Sequence, residues 1–316
     1  MKLILFLSIL LFLPIKFFHI PFSHHPVRSE TQQQIEALDI LFNEILPDPR
    51  MDGAEFIEIY NQSDKTIDLQ ELEIARINDK GQYIGRAHLS NTVLPMFPHT
   101  YKVLSTDPEQ VKQQYRTGSA DAFFTPVHMP VLPNEGGTIV LISNNTIIDR
   151  LDYTADMHSP FIKDPKGVSL ERRRFDQPTN APGNFTSAAA ATNYATPGYQ
   201  NSMYEENQQD DNKTFWLNSR TCSPDNDGFE DLLVLNYRIN GDDYMANMVI
   251  YNDRGTPVKH LVQNYRLASS GQLEWNGLND DGQLAQVGIH ILWIEIYNSK
   301  GELKHERKSF VLAKKL

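Results

Sequence analysis

Beyond residue 37 the chain consists of short apolar runs in which hydrophobic and polar residues alternate, and each run ends at Asn, Asp, Gly or Pro. In residues 55–60, for example, Ile57 and Ile59 fall on one side of the chain and Glu58 falls on the other. A period of two is the side-chain period of a β-strand, and many short strands at this spacing are typical of a β-sandwich. The sequence therefore predicts an all-β fold.

Local signals predict one hairpin and one helix within this pattern. Asn144 and Asn145 separate two apolar runs, and because asparagine tolerates a positive φ, they predict a tight hairpin turn. A short helix is predicted with Thr106 or Asp107 as its N-cap, Pro108 in its first turn and an end near Tyr115. This helix is polar, so we expect it to lie at the edge of a sandwich.

An acidic, amide-rich stretch divides the strand-rich region into two halves. Residues 203–215 hold few apolar side chains and predict a linker. Residues 38–202 and 216–316 are each long enough for one β-sandwich. The run 289–296 is apolar on both of its faces, which is typical of a central strand covered on each side. The predicted fold is two tandem immunoglobulin-like β-sandwich domains joined by an acidic linker, with one short helix in the first.

The composition argues against several classes of function. The chain has 316 residues with 40 Asp+Glu against 29 Lys+Arg, a formal net charge of −11. Because binding to nucleic acid needs clustered Lys and Arg, no nucleic-acid partner is predicted. Cys222 is the single cysteine of the sequence, which excludes an internal disulfide framework and a cysteine-based zinc site.

The chain begins with a positive charge at Lys2 and an apolar run that Pro14 and Lys16 interrupt. This run is shorter than the ~20 residues needed to span a bilayer, and the pattern is typical of a secretory signal peptide. We assign residues 1–29 to the signal peptide and 30–37 to a leader segment, with an uncleaved membrane anchor as the alternative because no Ala-x-Ala box follows. No other transmembrane segment is predicted. The pattern therefore predicts an exported protein.

Residues 225–231 (DNDGFED) hold the sharpest local signal for a ligand. Calcium takes about six to eight oxygen ligands, and carboxylates around a glycine turn can converge on one ion. The spacing is not that of a full EF-hand loop, since no Glu follows at the twelfth position. The alternative is a turn in which the side chains cap nearby N–H groups. The candidate calcium ligands are the carboxylates of Asp225, Asp227, Glu230 and Asp231.

No catalytic constellation emerges from the sequence. The histidines of the first half are scattered through predicted loops, without an HExxH or GxSxG frame: His88, His99, His128 and His158. We expect His158 to be a hydrogen-bonded structural residue. The run Glu171–Arg174 is interpreted as a solvated strand face paired with carboxylates. The sequence predicts a protein that is not an enzyme.

Several blocks of the first half occur in an order known from one family. They are FNEILPDP (42–49), EFIEIYN (55–61), GVSLER (167–172), PTN (178–180) and ATPGYQNS (195–202). Through them, residues 38–202 resemble the lamin tail domain as it occurs in secreted bacterial proteins of the Bacteroidetes type. The resemblance implies an immunoglobulin-like β-sandwich and carries over no enzymatic activity. Asn61 is expected to cap the turn after its strand.

A second set of blocks lies in residues 216–316. They are SPDNDG (223–228), VIYNDRG (249–255), WNGLNDDG (275–282) and GIH (288–290). Through them this half resembles the immunoglobulin-like domain of flagellar hook-capping proteins, a module that also ends many secreted Bacteroidetes proteins. Trp275 is expected to anchor the core, and Asp281-Gly282 to form a tight hairpin turn.

Taken with the resemblances, the sequence predicts an exported, non-enzymatic binding or structural protein of the cell envelope. The resemblances imply a location in the periplasm, at the outer-membrane surface or in the extracellular space. The expected partner is an envelope or extracellular protein or glycan, recognised by surfaces of the two sandwiches. The alternative is the accessory, non-catalytic region of a secreted hydrolase. No cofactor other than calcium is predicted.

Overall fold

The computed structural model describes residues 34–205, 214–239 and 243–313. The predicted signal peptide and the first half of the leader segment (30–33) therefore lie outside the described residues, as do residues 206–213 of the predicted linker. None of the helices in the described ranges is long and apolar enough to cross a membrane. Export and the membrane-anchor alternative stay predictions.

Residues 34–205, called the first sandwich below, form twelve described strands and one described α-helix. They are β1 (Ile40–Leu46), β2 (Phe56–Asn61), β3 (Ile67–Asp68), β4 (Leu72–Ile77), β5 (Tyr83–His88), β6 (Pro95–Met96), β7 (Tyr101–Ser105), α1 (Pro108–Gln114), β8 (Phe123–Phe124), β9 (Gly136–Ser143), β10 (Thr146–Thr154), β11 (Leu170–Arg172) and β12 (Phe185–Ser187). Short 3-10 helices lie at Leu69–Glu71, Ala120–Ala122, Ala155–Met157 and Ala190–Thr192.

Two sheets pack face to face in the first sandwich. One has the strand order β12-β11-β1-β2-β7-β8 and the other β10-β9-β4-β5. Their facing side chains form one apolar core, to which Phe42 and Ile57 contribute from the first sheet and Ile74 and Leu141 from the second. Strand β1 is buried along its whole length, so the opposite face of the first sheet must also be covered.

Helix α1 covers part of that opposite face. Its Val111 packs in a second apolar cluster with Phe56 and Tyr115. The Asp107 side chain accepts a hydrogen bond from Gln110 N, and Pro108 occupies the first turn. The cap, the proline and the polar character of the predicted helix are confirmed, and the helix ends one residue before the predicted end.

The predicted turns follow the side-chain chemistry that suggested them. Asn144 and Asn145 have φ values of 48° and 62° and join β9 to β10. Asn61 accepts a hydrogen bond from Ser63 N and donates to Lys65 O. Asparagine therefore serves both chain reversals, through its tolerance of positive φ at 144–145 and through side-chain hydrogen bonds at 61.

Residues 214–239 and 243–313, called the second sandwich below, are again all-β. Their strands are β13 (Phe215–Leu217), β14 (Thr221–Cys222), β15 (Leu233–Arg238), β16 (Tyr244–Asn252), β17 (Pro257–Arg266), β18 (Ser270–Trp275), β19 (Gly288–Asn298) and β20 (Leu303–Leu312). They form two sheets, ordered β13-β15-β18 and β14-β20-β19-β16-β17. Trp275 is buried between the sheets and donates its indole N–H to Leu278 O. The predicted class of two immunoglobulin-like β-sandwiches is confirmed.

The two sandwiches contact each other directly, and the contact includes the start of the predicted linker. Met203 is 4% exposed and packs with Ala189 and Ala268. Ser269 N donates to Ser202 O. Because Met203 is packed against the second sandwich, the predicted linker 203–215 does not begin as a solvated chain, contrary to the sequence interpretation of its first residues.

Arg266 is a deeply buried charged group at this interdomain interface. Its side chain is 1% exposed and donates through Nη2 to Ser187 O, 2.8 Å away. It also pairs with Asp243, whose second carboxylate oxygen accepts a hydrogen bond from Ser159 Oγ. A buried arginine of the second sandwich therefore pairs with a carboxylate of its own sandwich and is hydrogen-bonded to a carbonyl of the first.

Candidate functional site

The predicted calcium loop is held by backbone hydrogen bonds to its own carboxylates. Asp231 accepts from the backbone N–H groups of Asp225, Asn226 and Gly228 at 3.1, 2.7 and 2.8 Å. Asn226 and Gly228 have φ values of 62° and 87°, in the left-handed region that these two residue types tolerate best. The turn interpretation therefore accounts for the local fold of residues 225–231.

Three of the four predicted ligands also converge. One carboxylate oxygen from each of Asp225, Asp227 and Asp231 lies within 4.8 Å of the others. Glu230 does not join them, because its carboxylate accepts a hydrogen bond from Ser219 Oγ at 2.6 Å. The three aspartates fit a hard cation that prefers oxygen ligands, and backbone carbonyls and water would have to complete its shell.

A group of three buried glutamates inside the first sandwich was not predicted from the sequence. Glu44 of β1, Glu58 of β2 and Glu171 of β11 are all 0% exposed. Burial raises the pKa of all three carboxyls, and the negative charge of Glu171 helps to raise the pKa of Glu44 to about 8. We call these residues the buried glutamate cluster.

Every member of the buried glutamate cluster accepts hydrogen bonds from one segment, residues 196–203. Glu44 accepts from Thr196 N at 2.9 Å and Glu58 from Gly198 N. Glu171 accepts from Met203 N at 2.9 Å. Since the carboxylates are enclosed and occupied by these donors, they fasten the end of the first sandwich to its sheet and act as structural groups.

The sequence of β2 contains one sign that a buried carboxyl group was to be expected. Glu58 shares a strand face with Phe56 and Tyr60, and a carboxylate between two aromatic side chains on a buried strand needs polar partners. What the sequence does not show is the origin of those partners, because Gly198 is 140 residues away along the chain.

The sequence interpretation of Glu171–Arg174 as a solvated face is wrong for its first half. Arg172 is 1% exposed and donates to Phe42 O at 2.7 Å. Its guanidinium lies 3.5 Å from Asp149, and burial lowers the pKa of Arg172 to about 10. Only Arg174, which pairs with Asp176 at 2.7 Å, matches the expected exposed pair. The run is buried at its start because β11 pairs with both β1 and β12.

His158 lies near the interdomain interface as a hydrogen-bonded histidine. Its Nδ1 is 2.9 Å from Ser187 Oγ. Burial, together with the positive charge of Arg266, lowers the pKa of His158 to about 4. A neutral imidazole with a serine partner at an interface is a structural group, in line with the expectation from the sequence.

The other candidate histidines bind to separate parts of the first sandwich. His88 Nδ1 is 2.9 Å from Gln70 O, and His99 Nε2 is 3.1 Å from Asp64. His128 lies against Gly85 of β5. In the ranges that the structure describes, no serine or cysteine is hydrogen-bonded to the ring of a histidine that also pairs with a carboxylate, so these side chains form no catalytic triad.

A comparison with known families shows which family most of the first sandwich resembles. Residues 33–155 match the family model of the Lamin Tail Domain. The lamin tail domain family is one of non-catalytic immunoglobulin-like modules, in agreement with the sheets formed by β1 to β10. The resemblance that the sequence indicated for the first half is confirmed over these residues. Strands β11 and β12 and the segment 196–203 lie beyond the matched part of the lamin tail domain, and the hook-capping resemblance of the second half stays a prediction.

The comparisons with whole proteins and solved structures carry no further argument. No curated protein matches the chain. CopC from Methylosinus trichosporium OB3b is 15% identical, with 27% of this chain and 76% of CopC covered and a TM-score of 0.17. Dimeric latent PorU from Porphyromonas gingivalis is 8% identical, with 83% of this chain but 18% of PorU covered and a TM-score of 0.25. TM-scores this low do not bear on the lamin tail domain or on what this chain does.

Proposed function

We propose that this protein is an exported, non-enzymatic binding and structural protein of the cell envelope. The match of residues 33–155 to a family of non-catalytic immunoglobulin-like domains carries the proposal. Export rests on the sequence pattern of residues 1–29, a positive charge followed by a short apolar run. The partner is an envelope or extracellular protein or glycan.

The use of the buried polar groups supports this proposal. The buried glutamate cluster is occupied by backbone and hydroxyl donors. Arg172 and Arg266 bind carbonyl oxygens and carboxylates within the protein. Groups that could carry out acid–base chemistry therefore serve to hold the chain together, and recognition falls to the outer surfaces.

We also propose that residues 225–231, called the acidic loop below, bind Ca²⁺ through Asp225, Asp227 and Asp231. The convergence of three carboxylates supports this. Like charges this close repel one another, and a divalent cation would offset the repulsion. Glu230 is left out of the proposed ligand set because of its bond to Ser219.

The proposed function is tested by a cross-linking pulldown from intact cells with the mature chain as bait. We expect a protein or glycan of the envelope to be retained and to be displaced by an excess of untagged chain. An unrelated acidic β-sandwich as bait is the control for charge alone. If the chain retains nothing but hydrolyses polysaccharide or phosphoester substrates, the proposal is overturned. If the chain retains nothing itself but raises the activity of a secreted hydrolase, the alternative of an accessory region replaces it.

A further inference from the structure

The central strand β19 carries apolar side chains on both faces, but the described structure covers only one of them. On the inner face, Leu292 and Ile294 are 0% exposed. On the outer face, Ile289 is 58% exposed and Ile291 and Trp293 are half-buried. The sequence predicted cover on each side, so the outer face of β19 has apolar groups with no cover among the described residues.

Neighbouring strands extend this outer face into a continuous apolar area. Residues directly opposite each other in an antiparallel pair point to the same face. Val249 and Tyr251 of β16 lie opposite Trp293 and Ile291, and Val311 of β20 lies opposite Ile289. We call these residues the outer patch: Val249, Tyr251, Ile289, Ile291, Trp293 and Val311.

The same face of β19 already carries an interface at its other end. Further along the same face of β19, Tyr297 meets Phe161 of the first sandwich, with ring centroids 5.6 Å apart and planes at 85°. Met245, opposite Tyr297, is 7% exposed. Tyr297 is four residues from Trp293, or ~14 Å along a strand. One end of the face is therefore occupied by a protein surface. A polar row of Glu295 with Asn247 and His305 separates that end from the outer patch, which has no cover among the described residues.

The charge beside the outer patch indicates the chemistry of its partner. The Arg307 guanidinium lies 5.7 Å from the centre of the Trp293 ring, and Arg307 forms no ion pair with the described residues. The ring of His305 lies 5.0 Å from the Trp293 ring, and its Nε2 is 3.1 Å from Glu295, so the carboxylate on this face is already engaged while Arg307 is not. In a chain with a net charge of −11, a cationic group beside an apolar surface favours a partner that carries a carboxylate.

The outer patch suits a protein better than a glycan. Four of its six side chains are aliphatic, and aliphatic groups neither stack on sugar rings nor satisfy sugar hydroxyls. Trp, Tyr and Arg, all present here, are enriched where protein interfaces gain most of their affinity. A contiguous exposed apolar patch of this kind marks an interaction site.

We propose that the outer patch docks a partner protein, with an apolar side chain of the partner packed on Ile291 and Trp293 and a carboxylate of the partner paired with Arg307. This deepens the proposed function and rests on it, because it names the surface through which the partner is bound.

The test uses the full chain and two synthetic peptides of equal length and equal apolar content. One peptide has Asp and Glu at alternate positions, and the other has Lys there. We expect the acidic peptide to bind about tenfold more tightly than the basic one. Arg307→Glu should remove or reverse this preference. Trp293→Ser should weaken binding of the acidic peptide, and Trp293→Phe should largely restore it, with fluorescence anisotropy of the labelled peptides as the measurement.

Val93→Ser is the matched control, because Val93 is a 73% exposed apolar residue of the first sandwich. It should leave binding unchanged. Equal binding of the two peptides, or an equal loss with Val93→Ser, overturns the proposal. Displacement by an oligosaccharide without peptide binding would indicate a glycan. Self-association that Trp293→Ser abolishes would indicate a second copy of the chain. Both outcomes also overturn it.

The same variants separate this proposal from the proposed function. If the pulldown retains a partner with the wild-type chain and equally with Trp293→Ser and Arg307→Glu, the outer patch is not the docking surface and the proposed function stands. If the wild-type chain retains no partner and acts on a substrate, the proposed function itself fails.

Discussion

At the residue scale, the first sandwich depends on three carboxyl groups that are enclosed by protein. Glu44 illustrates the cost, since burial and the charge of Glu171 both disfavour its ionised form. The donors Thr196 N and Ser169 Oγ offset part of this cost. The stability of the fold is therefore linked to the protonation of a residue that faces no solvent.

The raised pKa of Glu44 gives a pH dependence with a defined sign. The folded carboxyl has a pKa of about 8 against an ordinary value of 4.5. Between these values the folded chain binds a proton that the unfolded chain does not, so stability falls as pH rises. The lowered pKa of His158, about 4, has the opposite effect only below about 6.5. We expect the thermal midpoint to fall between pH 6.5 and 8 and Glu44→Gln to flatten that fall.

The measurement is calorimetry of both chains at the two pH values. Glu36→Gln is the control, because Glu36 is an exposed residue of the same sandwich. A wild-type midpoint that does not fall over this range, or a Glu44→Gln chain that keeps the full slope, would contradict the role given to Glu44.

At the element scale, the alternation and turn chemistry of the sequence were enough to predict the class of fold. The asparagines at 144–145 and the cap at Asp107 specify their elements locally, and both are found where expected. The buried position of Glu171 is not specified locally, because it depends on β1, β12 and the segment 196–203 meeting in space. Sequence patterns state which side of a strand a residue takes but not what covers that side.

The acidic loop shows the same division between local and distant information. Asp225, Asp227 and Asp231 converge because the glycine turn between them is local. Glu230 was predicted as a fourth ligand, but Ser219, eleven residues earlier, takes its carboxylate. The convergence of the three aspartates was therefore predicted from the sequence, and the position of Glu230 was not, because Ser219 lies outside the loop. Calcium binding stays a prediction.

Calcium should stabilise the second sandwich if the acidic loop is a binding site. A ligand that binds only the folded chain raises the thermal midpoint by mass action, so we expect a higher midpoint in excess CaCl₂ than in EDTA. Asp227→Ala should remove the difference. Asp281→Ala, in the exposed turn after Trp275, should keep it. An unchanged wild-type midpoint would exclude the site, and an equal loss with Asp281→Ala would show a nonspecific charge effect.

At the scale of the whole molecule, the two sandwiches share buried contacts instead of being joined only by a linker. Arg266 binds Ser187 O and pairs with Asp243, and Ser269 N binds Ser202 O. Removing one partner of a buried ion pair leaves an uncompensated charge inside the protein. The interdomain interface is therefore expected to couple the unfolding of the two halves.

Arg266→Ala tests that coupling. We expect it to lower the free energy of unfolding by about 3–5 kcal/mol and to split a single calorimetric transition into two. Arg174→Ala is the matched control, since the exposed Arg174–Asp176 pair is solvent-screened and its loss should leave the unfolding transition nearly unchanged. Two separate transitions already in the wild-type chain would show that the halves unfold independently. Equal losses of stability from both substitutions would show that the buried Arg266 contributes no more than an exposed arginine.

Because residues 196–203 donate hydrogen bonds to the glutamates of β1, β2 and β11, a fragment of this chain that folds must include them. A clone that stops at residue 155, where the family match stops, would encode Glu44 and Glu58 without the amides that satisfy them. We expect such a fragment to be insoluble, whereas one that runs through Met203 should fold. The part of the chain that folds on its own is therefore expected to extend beyond the residues that match the family.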